Sequence, residues 1–252
     1  MTKEVVESKL SMSEERYCGC GAKIEPIPIE WRPGRPHWPA RCRACEQRHQ
    51  AQRQRRQIRL RRRARQQILR RRLVATIPQL FRRAHIRHLG EVVRNKLLVL
   101  VPARGGYLYG APGRGKTYSL CAIARLMITE GYNVRRVVWE RLSLEIRDTF
   151  KNNHTSELDL IGPLIDCDVL IIEDVGTTTS TGGTESDFNL RVLLTILDGR
   201  LEACRPTWFS SNKSVEQLAD TFDERIASRL CEHCTIILLD GPDRRKMFKR
   251  SD

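Results

Sequence analysis

The chain predicts an α/β fold in which helices cover both faces of a central parallel sheet. Three observations carry that prediction. Residues 110–117 read Gly-Ala-Pro-Gly-Arg-Gly-Lys-Thr, a glycine loop of the pattern G-x-x-x-x-G-K-[ST] between a strand-like and a helix-like segment. Val169-Leu170-Ile171-Ile172 is an uninterrupted apolar run, as expected of a strand buried on both faces. Strand-like and helix-like segments then alternate through the C-terminal two thirds of the chain.

In chain order, residues 1–45 form a small cysteine- and proline-bearing unit. Cys18-x-Cys20 is followed 21 residues later by Cys42-x-x-Cys45. Four thiolates in two close pairs suit one tetrahedral Zn²⁺, and four thiolates leave no open position for catalysis. Pro26, Pro28, Pro33, Pro36 and Pro39, with Trp31 and Trp38, make the intervening stretch too short and too proline-rich for a core of its own. A metal would supply the missing folding energy. His37 and His49 are the substitute ligands, and free thiols are the alternative.

Residues 46–75 read as an arginine-rich helix and linker, with the helix itself over 46–73. Gln, Arg, Ala and Leu favour helix, while Ala51, Ile58, Ile68, Leu69 and Leu73 leave only a thin apolar seam. Residues 47–90 hold fifteen arginines and no acid, which accounts for the whole net charge of +15. Such a block points to a polyanion, with nucleic-acid phosphate first. The other readings are a solvated linker helix and a helix docked on an acidic protein face. Aromatics are absent from residues 46–73, so backbone contact without base stacking is expected.

Residues 76–252 form the third part. Pro78 breaks the helix, and Phe81, Ile86 and Leu89 mark a short amphipathic entry. Strands are predicted at Tyr107–Tyr109, Val134–Trp139, Cys167–Ile172, Thr207–Ser211 and Thr235–Leu239. Helices are predicted after the glycine loop, over Asp187–Glu202, and around 215–221 behind a Ser214-x-x-Gln217 capping box. In the loop, Gly110, Gly113 and Gly115 permit backbone angles closed to other residues. Ala111, Pro112 and Arg114 complete it. Its N–H groups would cradle a triphosphate, Lys116 would reach the β- and γ-phosphates, and Thr117 would hold Mg²⁺. Glu173-Asp174 ends the apolar strand, where ligands bind in open α/β sheets. One carboxylate, assigned here to Glu173, would hold the magnesium, and the other would activate water. Asn212 stands at the next strand's end, beside the γ-phosphate or simply in a turn. Arg225 and Arg229 share a helix face, as a trans-acting arginine finger or as surface ion-pair residues.

On these residues the chain resembles the DnaC/IstB-like branch of the AAA+ ATPases, which holds helicase loaders and the ATPase helpers of some transposons. Ile77-Pro78-Gln79-Leu80-Phe81-Arg82, the loop Gly110–Thr117 and Ile171-Ile172-Glu173-Asp174-Val175-Gly176 carry the resemblance. So do Ser210-Ser211-Asn212, Glu224 to Leu230 and Gly241-Pro242-Asp243-Arg244. It implies that Gly110–Thr117 is Walker A, Glu173 and Asp174 the Walker B pair, Asn212 sensor 1, and Arg229 or Arg225 the arginine finger. It further implies an ATP hydrolase that works as a homo-oligomer and binds DNA, single-stranded by preference and duplex as the alternative. The partner is a replicative helicase, or a transposase in the alternative reading. The N-terminal zinc unit resembles one that grips the helicase in some relatives.

Two departures stand out. The family usually places Asp first in the Walker B pair, so turnover with Glu173 first would be slow. About a dozen residues follow the last strand, so no C-terminal helical lid is expected, and Arg244 and Arg245 are the local substitutes for a lid-borne arginine. Cys231-x-x-Cys234 reads as ordinary buried thiols, and residues 177–186 read as a loop. With no long apolar run and no apolar N-terminal segment, neither a membrane span nor a secretory signal is expected. Nine cysteines then read as reduced thiols or ligands in a cytoplasmic protein.

Overall fold

A computed structural model describes residues 15–27, 37–149, 156–176 and 187–247. The predicted loop at 177–186, most of the proline stretch and the first fourteen residues lie outside the described residues. The chain divides into two compact units, Met1–Gln67 and Ile68–Asp252.

In the first unit, β1 (Arg16–Tyr17) and β2 (Lys23–Ile24) pair antiparallel. The turn between them is closed by Cys18 N–H to Ala22 O and Gly21 N–H to Cys18 O, both 2.8 Å, with Gly21 left-handed. Arg16 lies over the Trp38 ring at 5.3 Å. Helix α1 (Arg43–Thr76) is a single run of 34 residues, three longer at each end than predicted. None of its residues is fully buried. Ala51, Ile58 and Ile68 of the expected seam are exposed, and only Leu69 and Leu73 pack, against the core of the second unit to which they belong. Over residues 51–68, therefore, intrinsic propensity rather than an apolar face keeps the segment helical.

The second unit is built on five parallel strands. They are β3 (Gly105–Tyr109), β4 (Val134–Val138), β5 (Val169–Glu173), β6 (Thr207–Ser211) and β7 (Cys234–Leu238), in the spatial order β4-β5-β6-β3-β7. Alternate side chains enter two separate cores. Leu108, Val169, Ile171, Trp208 and Ile237 face α2 (Glu91–Leu100) and α3 (Lys116–Glu130). Tyr107, Leu170, Ile172 and Phe209 face the other side, with α4 (Trp139–Thr149), α5 (Glu157–Asp166), α6 (Asp187–Glu202), α7 (Val215–Thr221) and α8 (Glu224–His233). Both faces of the sheet are thus covered, and this is why Val169 to Ile172 of β5 are all apolar rather than alternating. Gly105 lets β3 approach β6: a Cβ there would stand 2.0 Å from the Thr207 carbonyl oxygen.

The element reading needs adjustment at several points, since helices α2 and α4 were not predicted and β3 begins at Gly105. The second strand ends at Val138, and Trp139 opens α4 as a buried residue. The central strand begins at Val169 and includes Glu173. The last strand starts one residue early, at Cys234. Helix α5 was not predicted; a reciprocal Ser156/Asp159 capping box starts it, and it tolerates Pro163 in its interior. A fully buried Arg200 on α6 anchors the amino ends of β5 and β6. It donates to Thr207 Oγ1 (2.7 Å) and to the carbonyls of Leu164 (2.7 Å), Ile165 (3.0 Å), Cys167 (2.8 Å) and Pro206 (2.8 Å).

Candidate nucleotide site and cysteine cluster

The glycine loop leaves the carboxyl end of β3, the strand flanked by β6 and β7, and delivers the chain to the amino end of α3. Gly110, Gly113 and Gly115 take φ of 143°, 81° and 92°, the left-handed conformations that the sequence demands of them. The loop therefore ends on a helix N-terminus, whose unpaired N–H groups and dipole favour anions. Ala111 and Pro112 lie on its outer side, exposed, while Arg114 is half-buried. The short helix α9 (Arg244–Met247) follows β7 back to the loop, where Arg244 N–H donates to Gly113 O at 3.0 Å. Arg244 and Arg245, flagged in the sequence, thus stand at the loop.

Lys116 is buried, and its ammonium donates to Gly110 O (2.6 Å), Ala111 O (3.1 Å) and Asn212 Oδ1 (2.7 Å). Burial holds its pKa below the usual lysine value, the charge of Asp174 opposes that shift, and Arg245 adds to it. A phosphate could take the place of those loop carbonyls beside the ammonium, so these residues fit a nucleotide. Asn212 thereby comes to the loop from the end of β6, 96 residues away in sequence.

Glu173 and Asp174 separate in space. Glu173, the last residue of β5, turns toward the α3 face, where both carboxylate oxygens are held by Arg136 of β4, at 2.7 and 3.0 Å. Burial raises the Glu173 pKa above the carboxylate range, and Arg136 works against that rise. Asp174 leaves the strand with φ of 59°, its N–H donating to Ser210 Oγ at 3.2 Å. The loop, Lys116, Thr117, Asp174 and Asn212 thus converge at one end of the sheet. Arg225 and Arg229 are paired elsewhere on the surface of α8. Arg225 holds Asp223 at 3.1 Å; Arg229 holds Asp198 at 2.8 Å and Glu232 at 3.0 Å.

Sequence reasoning missed Arg136. The available signal was Val134-Arg135-Arg136-Val137-Val138: in a strand of period two, one of two adjacent arginines must face a covered side.

In the first unit, the Sγ atoms of Cys18, Cys20, Cys42 and Cys45 all lie within 4.8 Å of one another. Cys20 and Cys42 are 3.6 Å apart, far beyond a disulfide. A tetrahedron of Zn–S bonds of about 2.3 Å requires sulfurs about 3.8 Å apart, so the four thiols fit zinc. The backbone N–H groups of Cys20 and Cys42 lower the Cys18 pKa to about 6, while the other three sulfurs push Cys45 up to about 12. The cluster includes no histidine among the described residues. In the second unit, Cys234 is buried as predicted, but Cys231 is exposed at the end of α8. His233 between them is spent on Thr207 Oγ1 at 3.0 Å.

Comparison with known proteins follows the same outline. A family model described as IstB-like ATP binding protein matches residues 46–251. The replicative helicase loader DnaC of Escherichia coli (strain K12) is 30% identical over 121 residues, 48% of this chain and 47% of that protein. The replicative helicase loader DnaI of Bacillus subtilis (strain 168) is 30% identical over 155 residues, 56% and 48%. The matches span about half the length of these relatives. A crystal structure of DnaI aligns with a TM-score of 0.54 at 26% identity, over 67% of this chain and 94% of that one.

Proposed function

This chain belongs to the IstB-like ATP-binding protein family, and on that footing we propose that it is an ATP-hydrolysing accessory factor of DNA replication that delivers or regulates a replicative helicase. One observation carries the nucleotide reading: Lys116 bridges the glycine loop and Asn212 at the carboxyl end of the sheet. In this reading Lys116 exchanges its carbonyl partners for the β- and γ-phosphates, and the α3 N-terminus takes up their charge. Thr117 and Glu173 are the residues that would hold magnesium, which neutralises charge on the phosphates when bound. Asp174 orients the attacking water and accepts its proton, while Asn212 fixes the water's position. Arg229 or Arg225, both on the surface, would act on a neighbouring protomer's nucleotide in a homo-oligomer.

The helicase partner is proposed from the loader relatives. The first unit, folded around zinc, is the part proposed to grip the helicase. Helix α1 is proposed to bind DNA through phosphate contacts. A second reading, a transposase helper assembling on duplex, draws on the same helix. Its arginines are exposed, and at about 1.5 Å per residue it extends about 50 Å, more than a turn of duplex.

The test is fluorescence anisotropy of labelled single-stranded and duplex oligonucleotides with and without ATP and magnesium, across a salt series. Single-strand binding that requires ATP supports loading. ATP-dependent assembly on duplex moves the assignment to the transposase helper. No DNA binding overturns the DNA role. Lys116→Ala is expected to abolish ATP binding by calorimetry; retained binding overturns the site.

A further inference from the structure

The Glu173 side chain is 2% exposed and that of Arg136 14%. Arg136 stands opposite Ile171 in the β4–β5 register, so it lies on the same sheet face as Glu173 and reaches it along the α3 side. The contact is a fork of two parallel N–H···O bonds, the strongest form of this pair. Cys121 of α3 flanks the fork. Its thiol is pushed up to about 12 chiefly by burial, so it brings no competing negative charge. The glutamate carboxylate at this position is therefore engaged on both oxygens.

We infer that Arg136 is a positioning residue that neutralises Glu173 and sets the magnesium concentration at which nucleotide is bound. The inference rests on the nucleotide reading above. A dication attracted to Glu173 also meets the guanidinium charge a few ångströms away, in a site where burial strengthens both terms. Magnesium must either open the fork or bind without the full charge of Glu173. Either route raises the concentration needed. Nucleotide affinity in the absence of metal does not depend on the pair, because Lys116 and the loop make those contacts.

The test uses the full chain and a fluorescent N-methylanthraniloyl ATP, titrated with magnesium chloride and, separately, bound in EDTA. Arg136→Met is expected to lower the magnesium concentration at half-saturation by about tenfold or more, with affinity in EDTA unchanged. Arg136→Lys, which keeps the charge and loses the fork, shifts it less. In a Glu173→Gln background, Arg136→Met adds nothing. An unchanged or higher magnesium requirement in Arg136→Met overturns the inference, as does a shift that persists with Glu173→Gln. If Arg136→Met does not fold, Arg136→Gln, which retains a donor for the acid, carries the same expectation and the same reversal. Wild-type protein that binds no nucleotide in either buffer overturns the nucleotide reading itself, a distinct result.

Discussion

Asp174 takes a left-handed φ that only Asp and Asn among side-chain-bearing residues adopt with ease. Asp174→Asn is therefore expected to fold normally and bind ATP, while steady-state hydrolysis falls by about a hundredfold or more. Phosphate release measured beside nucleotide binding checks it. His233 offers a pH prediction. Burial, then the charge of Arg200, lowers its pKa below the ordinary histidine value. The unfolded chain then binds the proton more readily than the folded one. The stabilisation is complete above the unfolded value of about 6.5 and is lost as pH falls through the folded pKa. Urea midpoints are expected to drop between pH 7 and pH 5, and less so in His233→Gln. Arg200 itself is costly to remove. Arg200→Met would strand several buried carbonyls and is expected to destabilise by about 3 kcal/mol or more in urea unfolding.

Elements behave according to what they can bury. Strand β5 could be read from its residues because an apolar run of that length has few other uses. Helix α6 was placed to the residue, and α7 was placed with its cap, because Ser214 and Gln217 supply a reciprocal pair of hydrogen bonds. Helix α5 escaped, since Pro163 argues against a helix and only the Ser156/Asp159 box argues for one. The cysteine unit has a hairpin of two-residue strands and no large core among the described residues. Chelation is expected to unfold it, seen as lost protection of residues 16–27 from proteolysis, with about one zinc per chain released. Helix α1 predicts a salt effect. Replacing Arg61, Arg62 and Arg63 by Gln should lower the slope of log affinity against log salt for DNA by up to about three. An unchanged slope would take the DNA off this face.

In the molecule as a whole, the charge is segregated. Residues 47–90 carry all of the net +15, and the acids lie elsewhere. That separation could be read directly from the sequence, as could the glycine loop, because both are local in sequence. What stayed hidden was long-range. Lys116 and Asn212 meet only because β3 and β6 are neighbours, and Arg136 meets Glu173 only because β4 is the strand beside β5. Strand order is not written in any one segment. The two arginines proposed as a finger show the same limit. Among the described residues they pair with Asp223, Asp198 and Glu232, and the proposed role would need a second copy.

The Arg200 anchor gives the sheet two unlike ends. At the amino ends of β5 and β6 one guanidinium ties the preceding carbonyls together, while the carboxyl ends carry the loop, Asp174 and Asn212. Amide hydrogen exchange should run as a gradient along each strand, slowest near Val169 and Thr207 and fastest at Glu173 and Ser211. Any movement that accompanied the proposed nucleotide cycle would then resemble a fan opening from a fixed pivot, with its displacement confined to the end that carries the glycine loop.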